Sequence, residues 1–150
     1  MLKRILTLVL LLTSIAASAQ SRRTKEFDQK LFDAKLAEMV YQLDITDSQK
    51  KAFAPIYESY CREIRSAWNA TMASMPQGRA NDKDASVERV KKRIKLQEQA
   101  QSIRLRYTDK LAEVLTPKQL SKFFSVEDNI QKRLQERKQR SQRQRRSANR

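Results

Sequence analysis

No histidine occurs in the chain and Cys61 is its single cysteine, which removes most of the side-chain chemistry available to a protein of this size. Without an imidazole there is no His-based general base or triad, and the Cys61 thiol has no such group to activate it. One glycine in the whole sequence is too few for a glycine-rich phosphate cradle. Zinc and nickel sites draw heavily on His and Cys, so they are disfavoured. Met72 and Met75 could offer thioethers to Cu(I), with or without Cys61, although methionines three apart on a helix are more often packing. Asp and Glu lie scattered among Lys and Arg at helical spacing, the pattern of surface ion pairs. No enzyme activity, metal or cofactor is therefore expected. A lone cysteine cannot close an internal disulfide; it can join a second chain, carry a small thiol, or serve as a compact apolar filler.

The positions that carry pattern are helix-start devices. Ile45-Thr46-Asp47-Ser48-Gln49 and Leu115-Thr116-Pro117-Lys118-Gln119 repeat one arrangement. In each, the Thr hydroxyl can accept from the backbone N–H of the Gln three residues on, while the Gln side chain reaches back to the Thr N–H, a capping box. Asp47 suits the positive end of a helix dipole. Pro117 falls at the first helical position, where its missing N–H costs nothing. Leu115 and Leu120 can form a hydrophobic staple, which the first string lacks because Lys50 stands at the equivalent place. Thr46, Gln49, Thr116 and Gln119 are read as structural caps.

Around these caps the periodicity predicts an all-α fold of four helices. Over residues 24–43, Phe32, Leu36, Met39, Val40 and Leu43 recur at three and four, with Phe27 and Leu31 extending that face. From Thr46, Phe53, Ile56, Tyr57, Tyr60, Ile64, Trp68 and Met72 make an aromatic-rich face, bent where Pro55 removes a helical hydrogen bond. Met75-Pro76-Gln77-Gly78 marks a chain reversal. A third helix is expected over residues 84–115, about 48 Å long. Its apolar stripe is read as Val87, Val90, Ile94, Leu96, Ala100, Ile103, Tyr107, Leu111 and Val114, beside a basic band of Arg89, Lys91, Lys92, Arg93 and Lys95. A fourth begins at Pro117 and carries Phe123, Phe124, Ile130 and Leu134.

The two ends differ from this body. Lys3 and Arg4, the apolar run from Ile5 to Ile15, and Ala17-Ser18-Ala19 read as a cleaved export signal over residues 1–19, too short for the ~20 residues of a spanning helix. No Cys near that point suggests lipid modification. The charge of +15 for the whole chain becomes +13 once Lys3 and Arg4 are removed. Residues 132–150 hold nine basic side chains and one acid, a net +8, which leaves +5 for residues 20–131. With no apolar side chain larger than alanine after Leu134, the tail is read as a solvated, partly disordered extension. A cationic segment would attract nucleic acid, but export favours anionic lipid or acidic client segments, so no nucleic-acid partner is expected.

Two such strings, an export signal, a length near 150 and a long helical hairpin between the strings resemble the Spy/CpxP family of periplasmic LTxxQ proteins. Ile45 in place of Leu, Pro55 and the Arg-rich tail depart from that pattern. The resemblance implies a cradle-like antiparallel homodimer acting as an ATP-independent chaperone for unfolded or misfolded envelope proteins, or as a stress regulator. Long thin helices with apolar stripes enclose little core alone, which makes pairing with a second copy physically sensible. For the chaperone reading, Arg89, Lys92, Arg93 and Lys95 are candidate capture residues, with Ile94, Leu96, Tyr60 and Trp68 as candidate apolar client contacts. The alternatives are an envelope-stress or metal-type sensor that regulates an inner-membrane partner, and a protein that binds the anionic envelope through its tail.

Overall fold

The computed structural model describes residues 28–77 and 82–148. The expected signal segment, Phe27 and Gly78 lie outside the described residues. These form four helices and no strand: α1 over residues 28–42, α2 over Asp47–Ala73, α3 over Lys83–Ala112 and α4 over Pro117–Ala148. The chain divides into two compact units, Met1–Glu38 and Met39–Arg150. In the first, residues 28–38 are helical, with Phe32 and Leu36 half-buried. The second holds the end of α1 and the other three helices.

Asp44 ends α1. Its φ of 51° is left-handed, a conformation that Asp tolerates better than most residues because its short polar side chain bonds locally. The Asp44 N–H reaches Tyr41 O at 3.4 Å and the Ile45 N–H reaches Val40 O at 3.0 Å, the paired bonds of a Schellman stop. Thr46 follows in extended geometry and caps α2, with both halves of the capping box formed and Asp47 in the first turn. The helix then runs unbroken through Pro55. Asp82 caps α3 by accepting from Ala85 N at 3.0 Å. That helix begins one residue earlier and ends three earlier than its apolar spacing predicts, because Val114 and Leu115 turn back onto Leu111 O before the second string.

Contacts along α2, α3 and the residues just past their C-terminal ends pair Gln49 with Val114, Tyr60 with Tyr107, Glu63 with Arg106 and Ser74 with Lys92. One member rises in number as the other falls, so the helices run antiparallel along each other. Burial is confined to one half of this hairpin. Phe53, Tyr57 and Tyr60 are buried on α2, Ile103, Tyr107 and Leu111 on α3, and Phe123, Glu127 and Ile130 on α4. Met39, Leu43, Ile45 and Leu115 complete the core.

The centre of this core is aromatic. Phe53 stacks on Tyr57 at 5.4 Å, and Phe123 meets Phe53, Tyr57 and Tyr60 edge-on at 6.1, 5.9 and 6.0 Å. Tyr60 meets Tyr107 edge-on at 5.6 Å. Such pairs contribute roughly 0.5–1.5 kcal/mol each beyond the area they bury. Burial pushes the Tyr57 and Tyr60 phenols well above their ordinary range, and burial followed by the Glu63 carboxylate raises Tyr107.

Residues 132–148 continue α4 as helix rather than as a disordered extension, and α4 crosses position 131 without a break. Arg, Gln, Lys and Glu are good helix formers, and nucleation is already complete in the anchored turns before them. Arg145 and Arg146 in the last turn complement the dipole.

Because the three core phenols are held neutral when folded, their contribution to stability is complete below their ordinary pKa of 10 and is lost as pH rises above it. Alkaline titration is expected to show tyrosine ionisation and loss of helical circular dichroism in one cooperative step above pH 10. Ionisation of all four tyrosines with the helix signal intact would contradict the assignment of three of them to the core.

Candidate functional site

The two repeated strings meet. Within each, the Gln carboxamide oxygen accepts from the backbone N–H of its own Thr, at 3.1 Å for Gln49 and 2.9 Å for Gln119. That leaves each amide nitrogen with two donors to place. Gln49 Nε2 donates to Val114 O at 3.1 Å and to Gln119 Oε1 at 3.0 Å. The two N–H groups of Gln119 Nε2 are shared among three acceptors, Leu43 O at 3.1 Å, Asp44 O at 3.2 Å and Gln49 Oε1 at 3.2 Å. The left-handed turn at Asp44 presents two carbonyls that the end of α1 cannot use, and the second string supplies their donor. Gln119 is buried, so its bond to Leu43 O is sheltered from water and the bonds around it are partly so. The four cap residues therefore form a structural clasp that locks the start of α2 against the start of α4 and the end of α3.

Further along the hairpin, a second polar group is built into the core. Glu127 is 3% exposed and accepts from Gln131 Nε2 at 3.0 Å, with the Arg104 guanidinium at 3.4 Å. Arg104 also bonds Asp128 and lies 5.5 Å from the centre of the Phe124 ring. Nearer the surface, the Tyr107 hydroxyl donates to Glu63 at 2.7 Å and Arg106 to the same carboxylate at 2.6 Å, which together hold Glu63 below its usual range.

Beyond Tyr60 on α2 and before Ile103 on α3, no residue of these two helices is buried. This distal half of the hairpin is the candidate binding surface. Trp68 keeps the α2 stripe but lies past the turns that Phe123 and Phe124 cover, and it is 53% exposed. Val87, Val90 and Ile94 are also about half exposed, contrary to the single α3 stripe expected from spacing. The reason is angular. At about 100° per residue, the nine steps from Ile94 to Ile103 amount to half a turn. Val87, Val90, Ile94 and the 74% exposed Leu105 thus share one side of α3, while Leu96, Ala100, Ile103, Tyr107 and Leu111 line the other.

This separation sorts the predicted client residues. Ile94 and Trp68 are exposed, as are Arg93 and Lys95. Leu96 is half-buried on the core side. Tyr60, only 1% exposed among Tyr57, Tyr107 and Phe123, belongs to the core and cannot meet a client. Lys92 donates to Ser74 O at the end of α2 and closes the hairpin, and Arg89 donates to Ser86 Oγ at 3.2 Å. Lys91 pairs with Glu88 at 2.8 Å. An open groove runs between Thr71 and Ser74 of α2 and Lys91, Lys92 and Lys95 of α3.

Among the described residues no group of three or more His, Cys, Asp or Glu side chains could hold a metal. Cys61 and Met72 are separated by about 16 Å along α2, too far to share one ion within a chain. No described helix is long and apolar enough to cross a membrane. In comparison with known proteins, the family model described as LTXXQ motif family protein matches residues 31–127. No curated protein and no solved structure matches the chain.

The clasp makes a quantitative prediction. Gln119→Ala strands the buried Leu43 carbonyl, the part-buried Asp44 carbonyl and a cap N–H, and should cost about 2–3 kcal/mol in denaturant unfolding. Gln49→Ala, at a half-exposed position, should cost about 1–2 kcal/mol. The double variant should fall short of the sum by at least about 1 kcal/mol. Simple additivity would show that the two boxes act as independent caps.

Proposed function

The chain belongs to the LTXXQ motif family, and on that premise we propose that it acts in the periplasm as an ATP-independent chaperone holding unfolded or misfolded envelope proteins. One observation supports this reading above the rest. Four large apolar side chains, Trp68, Val87, Val90 and Ile94, stand about half exposed on the part of the hairpin that has no buried residue. They are interleaved with Lys91, Arg93 and Lys95. Large exposed apolar groups rimmed by charge mark interaction surfaces.

The energetics suit holding rather than tight binding. Covering the remaining half of a Val or Ile side chain contributes about 1 kcal/mol, so a few such contacts give weak capture that a folding client can leave. Lys and Arg around them draw in acidic segments over a Debye length of about 8 Å at physiological salt. No nucleotide is needed, because release follows when the client buries its own apolar surface.

The test is light scattering of a chemically unfolded client diluted into buffer without ATP. The wild-type chain should suppress aggregation at near-stoichiometric amounts. Val90→Ser combined with Ile94→Ser should raise the amount required several-fold, while thermal stability stays within about 0.5 kcal/mol, as for exposed positions generally. Trp68→Ala should act in the same direction. Absence of suppression over a range of salt and clients would remove the chaperone reading and favour an adaptor for a membrane signalling partner.

A further inference from the structure

The last 17 described residues of α4, 132–148, contain eight Lys or Arg and a single acid, Glu136. From Gln135 onward every described side chain is exposed. At about 100° per residue these cations surround the helix axis and leave no apolar face. We propose that this segment docks the protein on an anionic lipid surface, resting at headgroup level without inserting.

The first ground is charge. A net +7 is carried on a helix about 25 Å long. A helix with its side chains is about 10–12 Å across, close to a Debye length at moderate salt, so cations on its far side still feel an anionic plane. The second ground is depth. With nothing larger than Ala148 as an apolar side chain after Leu134, there is no wedge to enter the acyl region, and attachment is electrostatic and reversible. The third ground is order. Residues 135–148 are helical with every side chain exposed among the described residues, so binding does not bear the cost of folding the segment. Lipid is preferred to nucleic acid because the expected export signal would bring the chain to membrane surfaces. None of this depends on holding activity.

The experiment is co-sedimentation of the full chain with vesicles of phosphatidylglycerol mixed into phosphatidylcholine, and with phosphatidylcholine alone, over a salt series. A comparison variant carries Arg137→Gln, Lys138→Gln, Arg140→Gln, Arg143→Gln, Arg145→Gln and Arg146→Gln. Glutamine preserves helix propensity, and the unchanged N-terminus contributes equally to both proteins. The expected result is binding to the anionic vesicles well above that to phosphatidylcholine, falling steeply with salt, and weakened at least about a hundredfold in the variant. Circular dichroism and client suppression should be unchanged in the variant. Equal binding by the variant, or no anionic preference at low salt, overturns the proposal. So does binding of duplex DNA at a salt concentration that releases the vesicles, which would assign the segment to nucleic acid.

Discussion

The reciprocal amide pair between Gln49 and Gln119 is the constraint on which the core depends. A capping box uses only the acceptor of its glutamine, and here both glutamines spend their donors across the molecule. The two partners are 70 residues apart in sequence. Joining them fixes where α4 starts relative to α2, and so delivers Phe123 edge-on to Phe53 and Tyr57 four residues later. Gln119 also holds the carbonyls of Leu43 and Asp44, which ties the end of α1 to the same point. Four chain segments therefore share one small polar junction, and the aromatic core follows from it by register.

Such a junction is efficient because each polar group has a partner. Buried amides are costly when unpaired and contribute modestly when paired. The same rule governs Glu127, buried beneath Arg104 and Gln131. Both devices place directional bonds beside a non-directional aromatic cluster, so they select one arrangement among several that would bury similar area. Where these devices end, burial ends with them. The distal hairpin keeps helical hydrogen bonds and one layer of side chains, and is left with apolar groups that none of the described residues covers.

The helices, the start signals of α2 and α4, and most of the core were legible in the sequence. Caps at Thr46 and Thr116 are local devices, and Phe53, Tyr57, Ile103, Tyr107 and Phe123 follow helical spacing. Three things were harder to read. The joining of the two boxes is a long-range fact, although the unused amide donors of two matched glutamines were a hint. The two sides of α3 needed angle rather than spacing, since Ile94 and Leu96 stand only two apart in sequence but lie on opposite sides. Trp68 and Tyr60 belong to one stripe, and only the length of hairpin covered by α4 makes one exposed and the other core. The helical tail escaped a reading based on burial because a helix already nucleated extends without it.

The placement of the clasp also has a consequence for how the chain matures. Synthesis runs from the N-terminus, so the first box and the aromatic stripe of α2 are complete long before Gln119 and Phe123 exist. Until the last quarter of the chain is made, Phe53, Tyr57 and Tyr60 lack the Phe123 ring that packs against all three. The nascent protein passes through a stage in which it presents a sticky aromatic face of its own, and the arrival of α4 ends that stage. A chain interrupted just before the second box would have the residues of its hairpin yet stay unlatched, vulnerable to the same association that its finished surface is proposed to prevent in others.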